Sequence, residues 1–267
     1  MNTTRILSAC VMAPAAICAI VYLPPPWLSL LAAAIMLMGL WEWLRLAQKE
    51  AVSSKIRWVI LTAIVQIAAI LSLPRATPWL FAMCQLGAFI WLAACIWLRY
   101  PRWGHSGLFV ATGIGVVLSA WSALVLIVNK PNGAQWLLFA LVLVWAADSG
   151  AYFVGRRFGR HPLAQTISPN KTSEGAFGGV LAGLIVASGW SWFTVAAVHH
   201  VLRMQLLAII TVAVSIIGDL FESLLKRQAG MKDSGHLIPG HGGVLDRIDG
   251  VLAALPIFAL CQDLLLS

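Results

Sequence analysis

Nine apolar runs, nearly free of charge, follow one another at about 6–23, 27–44, 58–73, 79–98, 107–128, 134–153, 176–198, 204–225 and 249–266. Each approaches the ~20 residues that an α-helix needs to cross a bilayer. A helix satisfies its backbone hydrogen bonds internally, as a solvent without water demands. The runs therefore predict an all-α, polytopic integral membrane protein with about nine transmembrane helices. Charged residues make up 10% of the chain and apolar ones 60%, whereas a soluble domain carries about 25% charge. Pro24-Pro25-Pro26 divides the first two runs, because three rigid residues without amide donors cannot continue a helix in hydrocarbon.

Leu7-Ser8-Ala9-Cys10 imitates a lipoprotein cleavage site, but only Ile6 and Leu7 lie between Arg5 and Ser8. That apolar core is too short for a signal peptide, so the segment reads as an uncleaved span. Cys10, Cys18, Cys84, Cys95 and Cys261 are scattered at no metal or redox spacing and read as packing residues. The chain shows no internal repeat and no compact basic run with interleaved aromatics, so nucleic acid is not an expected partner.

With nine spans and a cytoplasmic N-terminus, fifteen of the eighteen Lys and Arg fall on the inner side. Only Arg75, Lys130 and Arg203 fall outside, which fixes the orientation by the positive-inside rule and places the C-terminus in the periplasm. Trp27, Trp41, Trp43, Trp58, Trp79, Trp97, Trp103 and Trp136 lie near span ends and read as interfacial anchors. Residues 1–130 are expected to supply about five spans, and 131–267 the remaining spans with the polar loops.

The acids are concentrated. Only Glu42, Glu50 and Asp263 lie outside 148–249, and the stretch Ser223–Gly250 alone holds seven charges. Asp219, Glu222, Ser223 and Lys226 are spaced i, i+3, i+4 and i+7, one polar stripe on the eighth helix. An unpaired carboxylate at that depth costs on the order of 3 kcal/mol, so either a bound cation or an ion pair with Lys226 compensates it. The following loop contains Gly230, Gly235, Gly240, Gly242 and Gly243, and Pro239-Gly240-His241-Gly242-Gly243 has the character of a phosphate-binding nest. Lys226, Arg227, Lys232 and Arg247 stand among Asp233, Asp246 and Asp249, a mixture that suits a metal-polyphosphate ligand. Asp246 and Asp249, at i and i+3, are expected to converge on Asp219 across the helix pair.

A second polar block runs from Asp148 to Arg160 and from Ile167 to Gly175. Asp148 either joins the metal, binds a polar group of a nucleotide, or serves as a cap or salt-bridge partner of Arg156 or Arg157. Gly175, Gly178, Gly179, Ala182 and Gly183 read as a close helix-packing stripe. His161, His199, His200 and His236 show no ligand spacing.

These residues resemble the bacterial phosphatidate cytidylyltransferase (CDP-diacylglycerol synthase) family. Its C-terminal signature reads here as Ser223, Lys226-Arg227, Lys232-Asp233, Gly235, Pro239, His241-Gly242-Gly243, Asp246-Arg247 and Asp249. The block from Asp148 through Gly155-Arg156, Ser168-Pro169, Lys171-Thr172 and Glu174-Gly175 is similar too, with Asn170 and Ser173 where relatives often carry Lys and Trp. The likeness is strong over about 148–250. It implies a multi-pass enzyme of the bacterial inner membrane, its site facing the cytoplasm, that joins CTP to phosphatidic acid and yields CDP-diacylglycerol and pyrophosphate. It implies Mg²⁺, with room for a second cation, and leaves a homodimer open.

The expected assignments are Asp219, Asp246, Lys226 and Lys232 as catalytic groups, and Asp219, Glu222, Asp246 and Asp249 as metal ligands. Asp148, Lys171, Thr172, Ser223, Arg227, His241, Gly242, Gly243 and Arg247 are expected to bind substrate. A phosphate monoester is already mostly dianionic at neutral pH, so His241 reads as a phosphate contact and not as a base. A CTP-dependent lipid kinase is the nearest alternative, and an ion-coupled transporter is another class.

Overall fold

The computed structural model describes residues 3–46, 51–73, 75–100, 106–193, 198–235, 237 and 242–266. Among them are nine α-helices: α1 Thr3–Tyr22, α2 Pro25–Leu46, α3 Val52–Leu71, α4 Thr77–Arg99, α5 Ser106–Val128, α6 Gly133–Phe158, α7 Ser173–Phe193, α8 Val198–Gln228 and α9 Leu245–Leu266. Eight of them are long and apolar enough to cross a membrane, and Val11–Tyr22 of α1 forms a shorter apolar helix. The protein is an all-α, polytopic integral membrane protein. α2 begins at Pro25, where a missing amide donor costs nothing, and Leu28 N donates to Pro24 O at 3.0 Å.

A small antiparallel hairpin interrupts the helices. β1 Pro162–Ala164 pairs with β2 Ser168–Thr172 between α6 and α7. Thr172 then caps α7, its Oγ1 accepting from Gly175 N at 3.1 Å. Glu174 reaches back to Arg160 N at 3.1 Å, His161 N at 3.3 Å and His161 Nδ1 at 2.5 Å, which fastens the hairpin to the helix.

Apolar packing sorts the spans by depth. α5 is the most buried, α2 and α9 follow, and α3 is the most peripheral. α9 packs against α8, α5, α4, α2 and α6, so the helix that begins at the end of the Gly-rich loop lies in the interior. The expected small-residue stripe does bring α6 and α7 together. A Cβ at Gly150 would meet Gly178 O at 2.6 Å, and one at Gly179 would meet Ala147 O at 2.9 Å.

The tryptophans divide. Trp27 is exposed and Trp41, Trp58, Trp79, Trp97 and Trp136 are half-buried, while Trp103 lies outside the described residues. Trp43 corrects the expectation of an interfacial anchor. It is buried, donates from Nε1 to Phe109 O at 3.0 Å and leans on Phe221 with ring centroids 6.0 Å apart. A satisfied indole N–H allows burial, and Trp91 and Trp97 complete an aromatic nest around Phe221. Phe221 immediately precedes Glu222, so this nest backs the polar stripe of α8.

The two ends of the bundle differ. At one end lie the C-terminal ends of α2, α6 and α8, the starts of α7 and α9, and the hairpin. At the other, Lys130 between α5 and α6 pairs with Asp263 near the end of α9, and Arg203 donates to Leu265 O at 3.1 Å.

Candidate active site

The polar stripe of α8 holds its expected register, and its chemistry is completed by α9. Asp219, Glu222 and Asp249 offer carboxylate oxygens that all lie within 4.8 Å of one another. Gly218 makes this approach feasible. A Cβ there would meet Ala253 Cβ at 2.6 Å and Asp249 O at 2.7 Å, so the two backbones touch one residue before Asp219. Lys171, from β2, contributes an ammonium 2.5 Å from Asp219 Oδ1. Asp148, on an exposed face of α6, lies in the electrostatic field of Asp219, Lys171 and Arg247.

Lys226 stands one turn above Glu222 and pairs with it at 2.6 Å, the geometry of an i, i+4 ion pair. The same Nζ lies 2.6 Å from Asp246 Oδ1. Two backbone donors complete Asp246, Ser234 N at 3.0 Å and Gly243 N at 2.8 Å, both to Oδ2, and Ser234 Oγ lies 3.0 Å from the same oxygen. Asp246 therefore ties the loop's two ends to the start of α9. Gly242, at φ 85°, turns the chain where a Cβ would meet Asp246 Oδ2 at 2.6 Å.

The convergence on Asp219 thus comes from Asp249, while Asp246 turns toward Lys226 and the loop. The cause is the position of the helix start. α9 begins at Leu245, so Asp246 lies in the first turn, where free backbone donors attract a carboxylate. Asp249 lies nearly one turn deeper, opposite the Gly218 contact.

The remaining expected residues occupy the rim. Arg227 is exposed and donates from Nε to Ile167 O at 3.4 Å, against the hairpin. Lys232 and Arg247 are exposed, Ser223 is half-buried beside Glu222, and Gly243 is buried against Ser234 and Glu42. His241 lies outside the described residues.

The structure adds one participant to the expected residues. Glu42, near the end of α2, is fully buried. Its Oε2 accepts from Ser234 Oγ at 3.0 Å and from Leu245 N at 2.8 Å. An ionisable residue inside an apolar span is by default a functional candidate. That signal was present, since Glu42 is one of three acids outside 148–249.

The sequence pattern of the cytidylyltransferase family matches residues 3–265. The chain belongs to the cytidylyltransferase family. The phosphatidate cytidylyltransferase of Pseudomonas aeruginosa is 38% identical over 265 residues, 97% of this chain and 96% of that protein. The protein of the same name from Haemophilus influenzae is 35% identical over 290 residues, covering 97% and 98%. That from Brucella suis is 38% identical over 246 residues, covering 87% and 83%. The match extends well beyond the 148–250 signature, so α1 to α5 belong to the family architecture as well. Within it, the acids of α8 and α9, the lysines of β2 and α8, and the Gly-rich loop meet at one end of the helices.

Proposed function

We propose that this membrane cytidylyltransferase joins CTP to phosphatidic acid, giving CDP-diacylglycerol and pyrophosphate. The observation that carries this reading is the meeting of three carboxylates with Lys171 and Lys226 at the mouth of a lipid-embedded bundle. A lipid phosphate is tethered at that level, and a nucleotide triphosphate arrives there from water.

The balance of the reaction is simple. A phosphatidate oxygen forms a bond to the α-phosphorus of CTP, the bond from that phosphorus to the α,β-bridging oxygen breaks, and pyrophosphate leaves with the electron pair. The attacking oxygen is already largely deprotonated, so the protein's task is alignment and charge neutralisation. Lys171 and Lys226 supply fixed positive charge within the site, and exposed Lys232 and Arg247 flank the Gly-rich loop. Arg227, against the hairpin, is suited to the lipid phosphate.

The donor set fits Mg²⁺: oxygen ligands only, from Asp219, Glu222 and Asp249, with Glu222 Oε1 buried and lacking a hydrogen-bond partner among the described residues. Bound there, Mg²⁺ supplies Lewis-acid stabilisation of phosphate charge. The same end of the bundle faces the cytoplasm of a bacterial inner membrane, by the positive-inside bias. Cysteines placed at Lys55 and Lys232 should be labelled from the same, cytoplasmic side of sealed vesicles, and labelling from opposite sides refutes this orientation.

The deciding assay is incubation of purified protein with phosphatidic acid, Mg²⁺ and CTP labelled at the α- or γ-phosphate. α-Label should enter the lipid and γ-label should leave as pyrophosphate. Transfer of γ-label to lipid with release of CDP would make the protein a lipid kinase and overturn the assignment.

A further inference from the structure

We propose that Glu42 is a positioning residue for CTP use: from α2 it clamps both ends of the Gly-rich segment that runs from Ser234 to Leu245. The inference rests on the activity proposed above.

An apolar side chain would fill this fully buried place in α2 without a desolvation penalty. The carboxylate contributes two directional contacts, both made by Oε2 and both to one segment. The first is Ser234 Oγ, where the segment leaves the end of α8. The second is Leu245 N, the first amide of α9. That amide is one of the donors a helix start leaves free, and a carboxylate from another helix satisfies it. Glu42 thereby acts as an N-terminal cap on α9 from outside α9, with the sign of charge that a helix N-terminus favours.

The two glycines beside these contacts carry the same message independently. A Cβ on Gly235 would strike the Glu42 carboxyl, and a Cβ on Gly243 would strike both Ser234 Oγ and that carboxyl. At Gly235 Glu42 alone occupies the space, and at Gly243 Glu42 and Ser234 share it. The segment's backbone is thus pressed onto this carboxylate at each end.

From there a chain of polar contacts reaches the reacting region. Ser234 Oγ lies 3.0 Å from Glu42 Oε2 and 3.0 Å from Asp246 Oδ2. Asp246 holds Lys226, which holds Glu222 of the acidic trio. Glu42 touches neither the trio nor the lysines in these contacts, so its effect passes through the segment's shape and the placement of α9. In the activity proposed above, the exposed Lys232 and Arg247 at the flanks of this segment are the cations that meet CTP, so the consequence falls on that substrate. CTP binding should suffer when the clamp is lost, whereas the lipid phosphate, bound toward the hairpin side, should be spared.

The test uses full-length protein in mixed micelles and compares Glu42→Gln, Glu42→Leu and Ser234→Ala with wild type. Apparent KM for each substrate is measured with the other saturating, together with kcat and thermal stability. Glu42→Gln keeps an acceptor oxygen at Oε2 and should stay within about threefold of wild type in KM for CTP. Glu42→Leu should raise it about tenfold or more, the worth of a hydrogen bond to a charged group, with the KM for phosphatidate little changed. Ser234→Ala, which removes one of the two contacts, should lie between them and keeps the test open if Glu42→Leu does not fold. Glu42→Leu or Ser234→Ala with an unchanged KM for CTP overturns the proposal. So does an equal rise in both KM values that tracks loss of thermal stability, the signature of a merely structural group. A wild-type protein that forms no CDP-diacylglycerol would refute the proposed activity instead, so the two failures are distinguishable.

Discussion

Replacing Lys226 with Met removes the ammonium that two buried carboxylates share and leaves the aliphatic stem. Lys226, Glu222 and Asp246 have side chains only 13%, 3% and 6% exposed, and both contacts are 2.6 Å. Breaking a buried ion pair by deleting one partner costs about 3–5 kcal/mol, because the remaining charge is stranded. The two carboxylates do not share that cost equally. Asp246 keeps two backbone donors, whereas Glu222 Oε1 has no hydrogen-bond partner among the described residues. Most of the penalty therefore belongs to Glu222, and Glu222→Gln should relieve it. Denaturant unfolding in mixed micelles should show Lys226→Met less stable by roughly 3 kcal/mol or more. Lys226→Met/Glu222→Gln should recover over half of that loss. Activity should stay low in both, since the cation that faces phosphate is missing. A double variant no more stable than the single one would refute the assignment of the strain to Glu222, and a loss below about 1 kcal/mol would make the pair equivalent to an exposed one.

Asp249→Asn should raise stability in the absence of divalent cation, because it removes one of three mutually repelling carboxylates. Millimolar Mg²⁺ should raise the thermal unfolding temperature of wild type by a shift that follows RT ln(1 + [L]/Kd), and Asp249→Asn should abolish that shift. Gly218→Leu forces apart the backbones of α8 and α9 at a point where even a Cβ finds neighbours at 2.6 and 2.7 Å. It should cost about 1–3 kcal/mol in unfolding measurements and reduce kcat by at least about tenfold through misplacement of Asp219 against Asp249. Arg247→Ala should mainly raise the KM for CTP and Arg227→Ala that for phosphatidate, measured with the other substrate saturating and with Arg→Lys controls for lost packing. Equal effects on both substrates would assign these cations to one shared phosphate centre.

The spans were legible because hydrocarbon imposes one local rule, ~20 apolar residues per helix, and that rule requires no knowledge of partners. The hairpin was not, since strands of three and five residues that include Pro162 and Pro169 show no alternation to detect. The same limit governs the start of α9. Hydropathy dates the run from about 249, whereas the helix begins at Leu245, and those four residues decide which aspartate meets Asp219 and which meets Lys226. Trp43 sits where an anchor would by position along its span, but the side of α2 it occupies, against Phe109 and Phe221, is set by tertiary packing.

Glu42 marks the boundary most sharply. Its own span announces an unusual acid, yet its partners Ser234 and Leu245 lie 192 and 203 residues away. No periodicity connects such positions. What the chain does provide is the complementary trace at the far end, Gly235 and Gly243, which read locally as turn or nest glycines and are in addition the hollow into which this carboxylate fits. The Gly-rich loop is therefore shaped by two agents. The second half of the chain folds it back through Asp246, and the first half holds it there through α2. A site assembled in this way depends on α2 packing correctly against α9, so the apolar N-terminal spans, which carry little of the chemistry themselves, help set the geometry in which the charged residues act.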